Sequence, residues 1–290
     1  MSGSRGLILV PTPIGNLGDI TARALEVLTS ADVIACEDTR HTRKLLSSQN
    51  ITGKRLLAVH EHNEMQAAVG LVKLAEEGNT VALVTDAGTP AISDPGACVV
   101  RAFVEASLPV ECLPGAAAFV VALAVSGLAT ERFVFEGFLP VKGPARARRI
   151  EQMAEDERTT VMYEAPHRSL RLVEDLANAC GAGRRVSISR ELTKRFETTL
   201  RLSLGEAVEA LRETEPRGEY VVVLAGRPAD ATPVRSDASI LQRISELRST
   251  GMRTRDVVDA VAGECGVPRR RVYSLAVGSP GIGEPPSDPV

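Results

Sequence analysis

The chain has 290 residues, 44% of them hydrophobic and 24% charged, with 34 basic and 37 acidic residues and a net charge of -3. That length allows two domains with separate cores, no apolar run approaches the ~20 residues that span a bilayer, and the slightly acidic balance leaves polyanion binding to local patches. Aromatic residues are only 3% of the chain and its five cysteines include no Cys-x-x-Cys, which disfavours RNA binding by aromatic stacking, a disulfide framework and a zinc site.

From the N-terminus, strand-like apolar runs at 6–11, 32–36, 56–59, 80–84 and 108–113 alternate with helix-like segments at 20–30, 40–48, 64–77, 95–106 and 116–126. Such alternation with short connections predicts a mainly parallel sheet covered on both faces. Asp19 or Thr21 can cap the first helix. A second α/β unit follows Ser126-Gly127, with strands expected at 132–138, 159–164, 185–190, 199–203 and 219–225 and helices near 144–156, 166–180 and 205–214. Gly226 to Ser236 reads as a linker. Beyond it Ile240, Leu241, Ile244 and Leu247, then Val257, Val258 and Val261, then Val272, Leu275 and Ala276 fall at helical spacing, with Gly251 and Gly266 at expected C-caps. The domains are expected at 1–126, 127–227 and 228–279, followed by a Pro/Gly-rich disordered tail at 280–290. Met1 to Gly6 carries no signal-peptide pattern, so the expected location is cytoplasmic.

Two loops stand out: Thr12-Pro13-Ile14-Gly15-Asn16-Leu17-Gly18-Asp19 and Thr85-Asp86-Ala87-Gly88-Thr89-Pro90-Ala91-Ile92-Ser93-Asp94-Pro95-Gly96. Each follows a strand-like run and precedes a helix, the position of ligand clefts in parallel α/β proteins. Together they predict one site. Gly15-x-x-Gly18 lacks the dinucleotide-binding spacing, and no phosphate-binding G-x-x-x-x-G-K-[ST] occurs, so hydride-transfer and P-loop chemistries are disfavoured.

These loops, together with Glu37-Asp38-Thr39-Arg40-His41-Thr42, Phe135-Glu136-Gly137-Phe138-Leu139-Pro140, Tyr163-Glu164-Ala165-Pro166-His167-Arg168 and Arg190-Glu191-Leu192-Thr193-Lys194, resemble in order the motifs of the ribosomal RNA small subunit methyltransferase I family. The resemblance covers roughly residues 6–278. It implies an α/β, two-domain tetrapyrrole-methylase-like (class III S-adenosylmethionine methyltransferase) fold, with the C-terminal three-helix appendage read above. It further implies S-adenosylmethionine (SAM) as cofactor in the cleft between the domains, a homodimer, and 2'-O-methylation of a cytidine in 16S rRNA near the decoding centre. The expected substrate is the assembled 30S subunit, since the particle can supply specificity that this modest basic surface cannot. A small-molecule methyltransferase of the same superfamily and a non-catalytic RNA-binding or ribosome-assembly factor remain the alternatives; the basic clusters and C-terminal helices disfavour the first, the intact loops the second.

Expected cofactor residues are Pro13, Gly15, Asp86, Gly88, Thr89, Ala116, Ala117 and Tyr163. Pro13 and Gly15 could equally serve turn geometry, Tyr163 could be an ordinary core-edge aromatic, and Asp94 is read as a cap of the following helix. Relatives often carry a small polar residue or Cys near Ala117; here Ala116-Ala117-Ala118 offers only backbone groups. A ribose hydroxyl is a weak nucleophile, so a base and a cation would help. Glu191 and Lys194 are expected to supply them, with Glu164 and His167 as rivals. His60 and His62 lack a third metal ligand, and no metal site is expected. RNA contacts are expected from Arg40, His41, Arg43 and Lys44, from Lys142, Arg146, Arg148 and Arg149, and from Arg168, with Arg269-Arg270-Arg271 as a further basic run.

Overall fold

The computed structural model describes residues 6–228, 237–265 and 269–278. The first sheet contains β1 (Gly6–Leu9), β2 (Val33–Cys36), β3 (Arg55–Ala58), β4 (Thr80–Val84) and β5 (Val110–Cys112), in the order β3-β2-β4-β1-β5 and with every pair parallel. Helices α1 (Ala22–Ser30), α2 (Thr39–Ser48), α3 (Glu64–Glu76), α4 (Ala97–Glu105) and α5 (Ala118–Val125) alternate with these strands. Leu7, Leu9, Val81 and Leu83 belong to one buried cluster with α3 and α4, whereas Ile8, Val10, Ala82 and Val84 pack with α1 on the other face. Near-continuous apolar strands follow from this double cover. Thr21 caps α1, its hydroxyl accepting from the Ala24 amide at 3.1 Å.

The second sheet contains β6 (Phe133–Phe138), β7 (Thr159–Glu164), β8 (Arg185–Arg190), β9 (Thr198–Ser203) and β10 (Tyr220–Leu224), in the order β6-β7-β10-β8-β9. Only β6 and β7 pair in parallel; the β7–β10, β10–β8 and β8–β9 pairs are antiparallel. Helices α6 (Pro144–Glu155), α7 (Ser169–Cys180) and α8 (Leu204–Arg212) bury a core against one face. The other face, through Val161, Val221 and Val223, meets Ile14, Ala122 and Leu123 of the first unit, so an apolar seam joins the two sheets.

Helices α9 (Asp237–Ser249), α10 (Thr254–Cys265) and α11 (Arg269–Gly278) form the expected appendage around Ile240, Ile244, Val257, Val261 and Val272. Gly251 takes a left-handed φ of 83° after α9. The expected cap at Gly266, residues 229–236 of the linker and the tail at 280–290 lie outside the described residues. No helix among the described residues is long and apolar enough to cross a membrane.

Candidate active site

Because β1 and β4 are neighbours in register, Leu9 opposite Leu83, their two loops leave the sheet side by side. They then pair with each other: the Thr12 amide donates to the Gly88 carbonyl at 2.9 Å and the Gly88 amide returns a bond to Thr12 at 3.0 Å. The Thr12 hydroxyl donates to the Thr85 carbonyl at 3.2 Å. The loop before α5 is tied in by the Thr89 hydroxyl, which donates to the Ala116 carbonyl at 2.9 Å. Three loop–helix junctions thus form one rigid floor at the carboxyl edge of the parallel sheet.

A cavity of about 330 Å³ opens between this floor and the second sheet. The first unit lines it with Ile14, Gly88, Thr89, Asp94 and Ala117, and the second with Phe138, Tyr163, Glu164, Glu219 and Tyr220. Tyr163 fastens the two sides, its hydroxyl oxygen accepting from the Phe119 amide at 3.3 Å. Phe119 stacks on Phe135 at 4.4 Å between centroids, and Phe135 meets Tyr163 edge-on at 5.1 Å. Burial and this apolar company push the Tyr163 phenol up to about 12.

The expected cofactor residues divide between two places. Gly88, Thr89, Ala117 and Tyr163 line the main cavity. Pro13 and Asp86 instead line a smaller depression of about 180 Å³ with His41 and Lys44 from α2. There the Asp86 carboxylate accepts from the Asp38 amide at 3.3 Å. Ala116 contributes its carbonyl to Thr89, and Gly15 permits a close approach: a Cβ there would lie 2.5 Å from Lys194 Cγ and 3.1 Å from the Leu192 carbonyl. Gly15 therefore lets the first loop seat against the Glu191–Lys194 turn of the other unit.

Glu191 and Lys194 do meet, but in a turn and not on a helix. Lys194 Nζ lies 2.9 Å from Glu191 Oε1 and 3.2 Å from Glu219 Oε2, and the Glu219 amide also donates to Glu191 at 3.1 Å. The bond from Lys194 holds the Glu191 carboxyl below its usual range. Partial burial opposes the charge on Lys194, yet Glu191 and Glu219 raise its pKa. Such a carboxylate is a stabilised anion with little appetite for a proton.

Glu164 is only 2% exposed. Arg168 clamps it, with Nε donating at 2.6 Å, and Arg146 Nη1 lies 3.8 Å from its other oxygen. Here the sequence expectation is corrected for two cations. Arg146, 4% exposed, turns inward to Asp175 and the Pro140 carbonyl, and Arg168 is spent on Glu164, so neither presents a free charge to RNA. The phase of α6 explains Arg146, which shares a face with Ile150, Met153 and Ala154. Arg149 is bridged to Glu136 at 2.6 Å, and Arg40 to Asp38 at 2.9 Å, a pairing that holds Asp38 down to about 2. His41, Arg43, Lys44, Lys142, Arg148 and His167 are exposed. In the appendage Arg269 pairs with Asp259 and Arg271 with Asp237. The His60 and His62 rings sit edge-on with centroids 6.1 Å apart. Among the described residues no group of three or more His, Cys, Asp or Glu side chains could hold a metal ion.

The sequence expectation for Asp94 is also corrected. It caps nothing: the N-cap of α4 is Gly96, and the Gly96 and Cys98 amides donate to Glu64 Oε1 at 2.8 Å each. Asp94 faces the cavity, and burial, reinforced by the charges of Glu37 and Asp86, pushes its carboxyl up to about 7. Glu219 escapes sequence reasoning altogether, since nothing in its local pattern distinguishes it from a surface acid.

A profile of the Tetrapyrrole (Corrin/Porphyrin) Methylases matches residues 6–208. A ribosomal RNA small subunit methyltransferase I of Synechocystis sp. is 43% identical over 271 residues, covering 93% of this chain and 97% of its own. One of Escherichia coli O157:H7 is 46% identical over 234 residues, covering 80% and 82%. The chain belongs to the ribosomal RNA small subunit methyltransferase I family, within the tetrapyrrole methylases. It is therefore a SAM-dependent methyltransferase. Solved structures agree on the fold of this methyltransferase. A cobalt precorrin-4 methyltransferase superposes with a TM-score of 0.58 at 17% identity, covering 78% of this chain and 96% of its own. A uroporphyrin-III C-methyltransferase from Thermus thermophilus, complexed with S-adenyl homocysteine, gives 0.56 at 18%, covering 76% and 97%.

The main cavity of the methyltransferase fits that cofactor. Its volume lies in the range of small-molecule sites, roughly 300–1,000 Å³. Tyr163, Phe138 and Phe119 offer apolar surface for an adenine, and the carboxyl groups of Asp94 and Glu219 on the lining offer oxygen acceptors to an ammonium.

Proposed function

We propose that this chain methylates the 2'-hydroxyl of a cytidine in 16S rRNA near the decoding centre, acting on the 30S subunit, as a cytoplasmic homodimer. The observation that carries the RNA reading is the 43% identity, across 93% of the chain, to a protein named ribosomal RNA small subunit methyltransferase I. When bound, the cofactor supplies an electrophilic methyl group on a sulfonium. The chain's own residues must hold that cation, admit the ribose and exclude competing water.

Gly88 and Thr89 bring backbone close to the cavity, and Ala117 and Ala118 at the start of α5 add peptide groups where no side chain intrudes. Asp86, Gly88, Thr89, Ala117 and Tyr163 are the proposed cofactor contacts, Asp86 from the adjoining depression; Pro13, Gly15 and Ala116 shape the walls. Lys194, held between Glu191 and Glu219 at the cleft edge, is the cation proposed to stabilise the emerging alkoxide. His41, Arg43 and Lys44 flank the depression on α2, and with Lys142 and Arg148 they are the exposed cations proposed to meet phosphates. Few aromatics are available for stacking, so recognition would rest on backbone charge and RNA shape.

Methyl-tritiated SAM offered with 30S subunits, free 16S rRNA and a porphyrinogen in separate reactions tests the reading. Label is expected in the rRNA of the subunits. Label confined to the porphyrinogen would replace it with small-molecule methylation, and no label in any acceptor would favour a non-catalytic factor.

A further inference from the structure

A base for the ribose proton has to combine access to the cofactor cavity, a fixed position and an available lone pair. Glu191 fails on the first count, because it does not line the cavity, and Lys194 holds its carboxyl below the usual range. Glu164 fails on access as well: its side chain is fully buried, with Arg168 on one oxygen and Arg146 3.8 Å from the other. Asp94 meets all three. It lines the cavity, and no side chain among the described residues bridges to its carboxylate within hydrogen-bonding distance.

Its position is fixed by an unusual loop. Ala91 and Ser93 both adopt left-handed conformations, with φ of 68° and 61°, a strain that persists only where surroundings enforce it. The enforcement is visible on both sides. The Ala91 amide donates to the Pro95 carbonyl at 3.2 Å, and Glu64 ties down the Gly96 and Cys98 amides just beyond. From the second unit, β6 bulges between Phe135 and Gly137 and brings Gly137 onto the loop. A Cβ on Gly137 would lie 2.7 Å from Ser93 Oγ. The strained loop is thus wedged between both sheets, with Asp94 at its cavity end.

We propose that Asp94 is the general base of the methyl transfer. This rests on the ribose 2'-hydroxyl being the acceptor. As the ribose oxygen forms its bond to the methyl carbon, the carbon–sulfur bond breaks with its electron pair going to sulfur, and the hydroxyl proton passes to the Asp94 carboxylate. The products are the methyl ether, the neutral thioether and a protonated Asp94, which then releases its proton to solvent. The groups facing Asp94 suit that cycle. Glu37 and Asp86 from the first sheet raise its proton affinity. Across the cavity stand Tyr163, whose raised pKa keeps it neutral, Glu164 neutralised by Arg168, and Glu219 paired with Lys194. A carboxylate poised near neutral pH matches the task, whereas an ordinary aspartate is a weak acceptor.

The test is single-turnover methylation of 30S subunits at saturating labelled SAM from pH 5.5 to 8.5, with S-adenosylhomocysteine affinity and thermal melting measured alongside. For the wild type the rate should rise through a midpoint near 7. Asp94→Asn should lose about 100-fold or more at pH 8 and lose the pH midpoint, with affinity retained and melting no lower than that of the wild type. Asp94→Glu should restore part of the rate with a displaced midpoint. Retention of the wild-type rate and midpoint by Asp94→Asn overturns the assignment, as does a loss of S-adenosylhomocysteine affinity parallel to the loss of rate, which would make Asp94 a cofactor-binding group. A wild type that labels no RNA would instead overturn the ribose reading, and with it the assignment.

Discussion

Arg146→Met separates a structural cation from an RNA-binding one. The Arg146 side chain is 5% exposed, and its Nε and Nη2 donate to Asp175 Oδ2 at 3.0 and 2.9 Å, while Nη1 donates to the Pro140 carbonyl at 3.2 Å. Methionine keeps much of the volume but removes every donor. Glu164, with a fully buried side chain, would then face Arg168 alone, and the Pro140 carbonyl would lose its partner. Breaking one side of a buried ion pair costs about 3–5 kcal/mol. Asp175 is 34% exposed and can rehydrate, so the expected loss is about 2–4 kcal/mol. Urea unfolding at pH 7.5 reads this directly, and filter binding to 30S subunits at a temperature where the variant is folded reads the alternative. A stability change below about 0.5 kcal/mol together with a tenfold loss of RNA affinity would refute the buried-network reasoning.

Lys44→Glu and Arg43→Glu should weaken 30S binding and lower the salt dependence of log K by about 1 for each phosphate no longer neutralised, with S-adenosylhomocysteine affinity unchanged by calorimetry. Gly15→Ala must displace Lys194 or the Leu192 carbonyl, and should cost about 1–3 kcal/mol in denaturation while slowing transfer. Thr89→Val removes the bond to Ala116 and should weaken S-adenosylhomocysteine binding by about 1 kcal/mol, roughly fivefold. The raised pKa of Asp94 makes the folded chain hold a proton that the unfolded chain releases above about 4. Wild-type stability relative to Asp94→Asn should therefore fall as pH rises from about 4 to about 7, by about 1–2 kcal/mol after allowing for solvent screening, and stay level above. Parallel urea midpoints for the two proteins across that range would contradict it.

The parallel sheet was legible because each strand and helix carries its own periodicity; the run at 80–84 coincides with β4, and most other ends differ by one to three residues. Strand direction in the second sheet was not. β10 inserts antiparallel between β7 and β8, a pairing set by tertiary contacts more than 50 residues apart for β7, and no local pattern encodes it. The pairing of the two Gly/Pro loops followed from their place after neighbouring strands. Asp94 was hidden because Asp-Pro-Gly before a helix imitates a cap, while the true partner of those amides, Glu64, lies 32 residues from Gly96 in sequence. Arg146 was hidden only by its neighbours: the run of cations drew attention from its helical phase, which matches Ile150 and Met153.

Delivery of a methyl group from this cleft to an RNA ribose is tested most directly by mass spectrometry of nucleosides from 16S rRNA. The purified protein is reacted with SAM and with 30S subunits that lack the modification. One new 2'-O-methylcytidine is expected, formed about 100-fold or more slowly when Asp94→Asn replaces the wild type. A methyl group on a base, or rRNA left unmethylated by an enzyme that consumes SAM with another acceptor, would contradict the ribose chemistry.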